Sequence, residues 1–464
     1  MKKLLSLVVA GGLLVGSAAM ASAADIKVKG QFEFGFGLYD GTNFQQHDGE
    51  ESFDALQRFR TQIDVIASES LKGVLALEIG NTNWGDGGST WGLAGANNRG
   101  GGMGADGVIV ELKQMYLDWL VPNTDLQVRM GIQPFATPRA VVRSDGEDGG
   151  FLLDDDMAGI LLSYNFNENF GANLGWFRGW DGYVNDPGNS AMGNEIDDEV
   201  DIFLLSLPIE VKDTFSVTPY GVYALIGDDL GADIGTYLPD VLSAHGTLGD
   251  EGDAWWAGVA FDLSYFDPFV AAIDLVYGKY DADNVGGVDP DRDGWAVIGK
   301  FGYKLDYFTP ILFGWYGSGS DDLGQDGLDG ILPYLSADWG LTSFGWSNAH
   351  FGGREYMVGD SPAGTWAIGL GLEDIKFIDN LTSHLRVMYF EGTSDSKGQN
   401  TFETMRVLND DDSGFEVNLD NVINVYDNLD MYVELAYINL DIKHDTNAFE
   451  DDAWKGYVGF SYSF

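Results

Sequence analysis

Aspartates at positions 289, 291 and 293 alternate with other residues directly before Gly294. Oxygen ligands at this spacing suit a hard cation such as Ca²⁺. The same string opens the calcium loop of helix–loop–helix proteins, which carries a bidentate glutamate at its twelfth position. Here that position is Lys300, and no helix is predicted on either side. Asp289, Asp291 and Asp293 therefore form either a weak Ca²⁺ site or part of an acidic surface loop, and no other cofactor is expected.

The five histidines offer no catalytic arrangement. All but His384 fall in predicted loops, and His384 follows Ser383 on a predicted strand. Adjacent residues of a strand point to opposite faces, so this pair cannot act together as nucleophile and base. Neither a G-x-S-x-G nor an H-E-x-x-H motif occurs in the chain. The sequence therefore predicts a protein that is not an enzyme.

Six basic residues fall on the polar, inward parity of predicted strands. They are Arg58, Arg60, Arg129, Lys300, Lys304 and Arg386. A charged side chain that faces lipid at the bilayer midplane costs roughly 2–4 kcal/mol. If the strands cross a membrane, these residues should face an interior lumen and form a basic cluster on the pore wall. The alternative is that they only neutralise acids of the same wall, such as Asp64 and Asp118.

The stretch from Ala55 to Ile79 shows the kind of strand that must position these basic residues, and it contains Arg58 and Arg60. Arg58 and Arg60 share one parity with other polar residues, whereas Phe59 and Ile63 lie on the other parity. In a strand these parities are opposite faces. A short polar turn and a second alternating run follow, and this pattern recurs along the chain. Beyond the N-terminal segment no run of about 18 apolar residues occurs, so no membrane-spanning helix is predicted.

Short and long connections alternate between the predicted strands. The long polar loops lie near residues 134–155, 181–198, 227–253, 281–294, 317–363 and 391–413. This asymmetry is typical of outer-membrane barrels, with short periplasmic turns and long external loops. The sequence therefore predicts an all-β fold, a transmembrane antiparallel up-and-down β-barrel of about 18 strands with 16 as the alternative. Eighteen strands would enclose a water-filled lumen.

The chain begins with a basic, then apolar, then A-x-A pattern that predicts a signal peptide over residues 1–24, followed by a barrel over 25–464. The formal net charge of −48 argues against a nucleic-acid partner. The same acidity favours solubility, so a soluble secreted surface protein remains an alternative. Acids of the external loops could also recruit divalent cations that bridge lipopolysaccharide. No cysteine occurs, so the fold uses no disulfide.

Several stretches in the first third of the chain resemble one family of proteins. They are Ala24–Gln31, Gln57–Asp64, Ala67–Val74, Tyr116–Thr124 and Val128–Gln133. In this order they resemble the homotrimeric outer-membrane porins of sulfate-reducing bacteria, and the terminal Phe464 resembles the assembly signal of bacterial outer-membrane barrels. The resemblance implies a homotrimer in the outer membrane, in contact with lipid and lipopolysaccharide. It also implies a passive diffusion channel for small hydrophilic solutes and ions.

The resemblance further implies that the third long loop, near 134–155, folds into the channel and forms the constriction. Its charged residues are Arg139, Arg143, Asp145, Glu147, Asp148, Asp154 and Asp155. Acids of this loop opposite wall arginines would create a transverse field, and charged rings of this kind set ion selectivity. The alternative is a solvated external loop. Ion preference stays open, and so does a substrate-specific channel for sugars or organic acids.

Overall fold

The computed structural model describes residues 24–42, 44, 51–85, 101, 110–141, 150, 152–181, 199–227, 251–263, 266–282, 291–321, 329–335, 339–346, 348–353, 358–359, 361–395, 407–443 and 451–464. The predicted signal peptide, apart from Ala24, lies outside these residues. Within the described ranges, no helix is long and apolar enough to cross a membrane.

Nineteen strands make up the fold of the described residues. They are β1 (Asp25–Asp40), β2 (Ser52–Ser68), β3 (Leu71–Asn83), β4 (Glu111–Leu120), β5 (Leu126–Ala136), β6 (Asp154–Asn167), β7 (Phe170–Asp181), β8 (Glu199–Ser206), β9 (Ile209–Val211), β10 (Phe215–Ile226), β11 (Gly252–Asp262), β12 (Phe269–Ala282), β13 (Arg292–Tyr303), β14 (Thr309–Gly317), β15 (Thr365–Ile378), β16 (Leu381–Gly392), β17 (Ser413–Tyr426), β18 (Leu429–Asp441) and β19 (Asp452–Ser463).

The strands form one closed antiparallel barrel. Apart from β8 and β9, each strand pairs with its neighbours in sequence, and β1 pairs with both β2 and β19, which closes the sheet. Strands β8 and β9 form a single span between β7 and β10, interrupted at Leu207 and Pro208. Proline lacks the N–H group that a central strand donates, which accounts for the break. The barrel therefore has 18 spans, which confirms the fold class predicted from the sequence.

The two faces of each span follow the alternation of the sequence. Arg58 of β2 lies opposite Glu33 of β1 on the inner face, where their side chains form an ion pair. The next residue, Phe59, lies opposite Phe32 on the outer face, with ring centroids 4.5 Å apart. Cross-strand pairs of both kinds stabilise an antiparallel sheet. With this register, charged side chains point inward and apolar side chains point outward.

Large apolar side chains cover the outer face, and aromatic pairs lie near both rims. Leu370 and Ile26, for example, are 66% and 63% exposed. Near one rim, rings of neighbouring strands lie 5.1–5.8 Å apart in the pairs Trp255–Tyr277, Trp295–Tyr316, Trp366–Tyr389 and Phe415–Tyr437. Near the other rim, the pairs Phe166–Phe170 and Phe269–Tyr303 lie 5.1 and 5.3 Å apart. An apolar band bordered by aromatic girdles is the surface that a lipid bilayer requires of a barrel.

The connections differ in length between the two ends of the barrel. One end has short turns such as residues 69–70, 168–169 and 427–428. The other end has the long connections, among them 84–110, 137–153, 227–251, 318–364 and 393–412. We call these the short-turn end and the long-loop end.

Two of the long connections place part of their chain inside the barrel. We call residues 137–141 and 152–153 the short inner segment. We call the described residues from Ile331 to Gly353 the long inner segment. Their apolar side chains, such as Val141, Leu152 and Trp346, belong to one buried cluster with the inner faces of the strands. The hydrophobic core of this protein therefore lies inside the barrel.

Candidate functional site in the lumen

Glu416 of β17 holds the middle of the long inner segment against the wall. Its carboxylate accepts hydrogen bonds from Thr342 Oγ1 at 2.9 Å and from the backbone N–H of Gly345 at 3.1 Å. Asn418 Nδ2 donates a third at 2.6 Å. The glutamate is fully buried, so these donors replace the water that an ionised carboxylate needs. Glu416 therefore fixes the position of residues 342–345.

Asp420, four residues beyond Glu416 on the same inner face, extends this attachment. Ser343 Oγ donates to one carboxylate oxygen at 2.6 Å, and Arg386 of β16 donates to the other at 2.9 Å. Arg386 also donates to Glu373 of β15 at 3.2 Å. Lys300 of β13 pairs with the same Glu373 at 2.8 Å. A buried network of alternating charges therefore runs from β13 to β17 beneath the inner segment.

Glu434 of β18 holds the far end of the long inner segment. It accepts from the backbone N–H of His350 at 2.9 Å, and its Oε1 lies 2.6 Å from Nδ1 of the same histidine. Lys455 of β19 donates to Glu434 at 2.7 Å and also to the backbone oxygen of Ser343. Both Lys455 and Glu434 have fully buried side chains. The pair therefore joins two strands of the wall to the middle and to the far end of the segment.

The end of the long inner segment reaches the place where β1 and β19 close the barrel. Tyr39 of β1 donates to the backbone oxygen of Gly352 at 3.0 Å, and Tyr457 of β19 donates to that of Phe351 at 2.5 Å. The guanidinium of Arg58 lies 4.2 Å from the ring centroid of Phe351. A Cβ at Gly35 would lie 2.7 Å from the Phe351 oxygen. A glycine is needed there because the segment passes so close to the strand.

Asp274 of β12 anchors the short inner segment in a similar way. Its two carboxylate oxygens accept the backbone N–H groups of Ala140 at 2.7 Å and Val141 at 2.8 Å. The two inner segments also meet, because the N–H of Leu335 donates to the oxygen of Leu152 at 2.8 Å. Chain therefore crosses the lumen from β12 to the wall formed by β16–β19.

The inner wall differs between the two sides of this crossing. On β7–β15 the inner residues are mostly apolar and nearly inaccessible to solvent, for example Phe177, Ile202, Val222, Trp256, Val276 and Ile298. On β2–β5 the inner wall carries charged side chains that keep contact with solvent, among them Arg60, Lys72 and Arg129, with 26–34% of the side chain exposed. Water therefore has access along one side of the lumen, while the opposite side is packed with core.

A cavity of about 430 Å³ lies on this accessible side. Its polar lining comes from Lys29, Gln31, Arg60, Gln62, Lys113 and Gln114. Lys113 Nζ and Gln114 Nε2 both donate to Asp156, each at 2.7 Å. Such a cavity has the size of a site for a small solute.

The arginines predicted for the pore wall lie on the inner face, and each has an acidic partner. Arg58 pairs with Glu33 at 2.6 Å, and Arg60 pairs with Glu78 at 2.5 Å. Arg129 donates twice to Asp118, at 2.7 and 3.2 Å. This arrangement agrees with the alternative hypothesis from the sequence, in which the arginines neutralise acids of the same wall. The wall presents alternating ion pairs to the lumen rather than a bare basic surface.

The other three predicted wall residues have different positions. Lys300 and Arg386 lie on the inner face within the buried charge network, at 14% and 2% exposure of the side chain. Lys304 lies just beyond the wall strand, and its role at the pore wall stays a prediction. It follows the end of β13 in a short turn, where its nearly half-exposed side chain lies 3.5 Å from Asp267.

Three of the charged residues predicted for the constriction loop are described. Arg139 of the short inner segment lies 3.9 Å from Asp154 at the start of β6. Asp155 is exposed and accepts the backbone N–H of Asp156 at 2.7 Å. Arg143, Asp145, Glu147 and Asp148 lie outside the described residues. The constriction role of this loop stays a prediction.

The candidate calcium string is only partly described, because Asp289 lies outside the described residues. Asp291 accepts the backbone N–H of Ala282 at 3.0 Å, and Asp293 accepts the hydroxyl of Tyr277 at 2.8 Å. Among the residues that the structure describes, no three histidine, aspartate or glutamate side chains come together as metal ligands. The calcium site therefore stays a prediction.

Sequence reasoning missed the buried acids that hold the inner segments, namely Asp274, Glu416, Asp420 and Glu434. A signal for them exists in β17, where Glu416, Asn418 and Asp420 alternate with Val417 and Leu419. Three polar residues on one face of a strand indicate an inner wall, but they do not reveal which distant residues will cover it.

Comparisons with known proteins place the fold among solved barrels. No protein-family model and no curated protein matches the chain. The structure resembles Pseudomonas aeruginosa OpdO with a TM-score of 0.54 and 13% identity, over 95% of this chain and 97% of that one. For Acinetobacter baumannii OccAB3 the TM-score is 0.54 with 11% identity, over 95% and 100% of the chains. For P. aeruginosa OccK9 (OpdG) it is 0.56 with 12% identity, over 95% and 98%. The chain therefore shares its 18-span barrel fold with these proteins.

Proposed function

We propose that this protein is an outer-membrane porin, a water-filled channel for passive diffusion of small hydrophilic solutes and ions. The observation that carries the proposal is the contrast between the two faces of one closed barrel. The outer face is apolar with aromatic pairs near both rims, and the inner wall of β2–β5 carries solvent-exposed charge. The solved barrels of similar fold are outer-membrane porins of the OccK/Opd group, which supports the same function.

The experiment is conductance of the purified protein in a planar lipid bilayer. A porin should give discrete, ohmic steps in potassium chloride, and the reversal potential in a salt gradient should report its ion preference. Protein that inserts, as judged by protection from protease, yet gives no current would reject the proposal. In this membrane the short turns would face the periplasm and the long loops the exterior.

A channel selective for one class of solute, such as sugars or organic acids, is the second candidate. The crossing of the lumen by the two inner segments favours it, because they leave solvent access along one side of the wall. Saturable block of the current by one solute, and not by others of equal size, would support selectivity. A reduction of the current that is equal for all solutes and does not saturate would favour the general porin.

A soluble secreted surface protein is the third candidate, and cell fractionation separates it from both channels. A barrel with this apolar outer face should sediment with outer membranes and require detergent for extraction. Release from the cell surface by salt or chelator alone would favour the soluble protein. Purification from outer membranes would also reveal whether the mature chain begins near Asp25, as the proposed signal peptide over residues 1–24 requires.

We propose that the protein is a homotrimer whose partners are outer-membrane lipid and lipopolysaccharide, and that it binds no nucleic acid. The resemblance of the sequence to homotrimeric porins supports the trimer. Light scattering of the detergent complex should give three times the protomer mass. We also propose that external acids bind Ca²⁺ weakly, which equilibrium dialysis with the calcium ion would measure. We propose no catalytic role.

A further inference from the structure

Arg292 differs from the arginines that the lumen wall uses in ion pairs. It is the first residue of β13 and lies on the inner face, with only 2% of its surface exposed. Arg58, Arg60, Arg129 and Arg386 each have a carboxylate within 3.2 Å. Within the described part of the chain, no hydrogen-bond partner lies near Nε, Nη1 or Nη2 of Arg292.

The described residues around Arg292 enclose its guanidinium, and none of them offers it a negative charge. Tyr280 lies opposite it on β12, and the guanidinium carbon is 5.7 Å from the centroid of that ring. The long inner segment covers the same part of the wall, because a Cβ at Gly294 would meet the backbone of Leu332 at 2.3 Å. Trp256 donates to the backbone oxygen of Pro333 at 2.7 Å, which fixes this cover in place.

A guanidinium presents five N–H donors and stays charged at all physiological pH values. Burying a charge without a partner is expensive, and buried charges in folded proteins are paired as a rule. We propose that Arg292 is the receptor of a small monovalent anion of halide size, enclosed between β12, β13 and the long inner segment. The tight packing of Leu332 against Gly294 argues for a compact ion rather than a larger solute. The site would hold this part of the inner segment in place, whether or not the barrel conducts.

Bromide is a suitable probe, and thermal unfolding of the detergent-solubilised barrel is the readout. When sodium bromide replaces sodium fluoride at constant ionic strength, the unfolding midpoint of the wild type should rise saturably by a few degrees. Arg292→Met should abolish the dependence on bromide. Arg178→Gln removes an ion-paired arginine of the outer face and should keep the dependence. An equal dependence in the wild type and in Arg292→Met would overturn the proposal.

Diffraction provides a readout that does not depend on a variant that folds. Crystals of the wild type soaked in bromide should give an anomalous peak within contact distance of the Arg292 guanidinium. Arg292→Lys keeps a positive charge and should retain a weaker peak. A carboxylate of the chain itself within hydrogen-bond distance of Nη1 or Nη2 would overturn the proposal, and so would a guanidinium with no anomalous peak beside it.

Discussion

At the scale of single residues, the lumen depends on buried acids that accept hydrogen bonds from inserted backbone. Asp274 is the simplest case, because both oxygens accept N–H groups of the short inner segment, at 2.7 and 2.8 Å. A carboxylate bound to two amides remains satisfied away from water, and hydrogen bonds to charged groups are about twice as strong as neutral ones. One wall residue can therefore determine where a whole segment crosses the barrel.

Replacing Asp274 by alanine should detach the short inner segment. Each lost hydrogen bond to the carboxylate contributes about 1.5–3 kcal/mol. We expect larger and noisier single-channel conductance in planar bilayers, with the barrel still folded. Asp64→Ala is the matched control, because Asp64 is an inner-wall acid that binds Gln62 and touches no inner segment in the described residues. Unchanged conductance in Asp274→Ala would contradict the anchoring role.

Replacing Lys455 by methionine should destabilise the barrel strongly. Lys455 and Glu434 are fully buried, and loss of one partner leaves an uncompensated charge that costs about 3–5 kcal/mol. The temperature at which the folded band disappears in an SDS gel should fall. The double variant Lys455→Met with Glu434→Gln should recover part of the loss, because it removes both charges. A double variant no more stable than the single one would argue against their coupling.

At the scale of elements, strands follow from the sequence while the inner segments do not. The two-residue period in β2 predicts which side chains face inward, since a register shift of one residue would turn every arginine toward lipid. The long inner segment has no comparable period. Its position depends on acids of β17 and β18 far away in sequence, so no local pattern reveals it.

Replacing Gly35 by valine should displace the end of the long inner segment from β1. The new Cβ would lie 2.7 Å from the backbone oxygen of Phe351, and overpacking of this kind costs about 1–3 kcal/mol. Protease cleavage near residue 351 in detergent should become faster, and Arg58 should lose its contact with the Phe351 ring. Gly456→Val is the control, because Gly456 shares the outer face of β19 with Trp454 and Val458 and its nearest neighbour is 3.8 Å from the new Cβ. Equal cleavage of both variants would contradict this contact.

At the scale of the whole molecule, alternation and the pattern of connection lengths predict the barrel and its number of spans. They also predict that the basic side chains of β2 and β5 face inward. They do not predict that half of the inner wall is apolar. A strand with Val, Ile or Phe on both faces indicates only that both faces are buried, and not what covers the inner one. The inner face of β8, with Val200, Ile202 and Leu204, is such a case.

The absence of cysteine makes this asymmetry testable with single introduced thiols. Gln62→Cys on β2 should react with a charged, water-soluble thiol reagent in the folded protein, and the reaction should reduce the conductance. Ile202→Cys on β8, whose side chain is buried, should react only after unfolding. Reaction rates of both variants can be compared by mass spectrometry. Equal rates in the folded state would mean that water reaches both sides of the lumen.

The contacts of the long inner segment with Tyr39 and Tyr457 have a consequence for biogenesis. These two residues belong to β1 and β19, whose pairing closes the barrel, so closure of the sheet and placement of the long inner segment depend on neighbouring contacts. A ring closed around an empty interior would leave Glu434 and Lys455 exposed to water and the joint without its internal brace. Strands β1 and β19 and the long inner segment, which are remote from one another in sequence, therefore meet at a single place in the correctly assembled barrel.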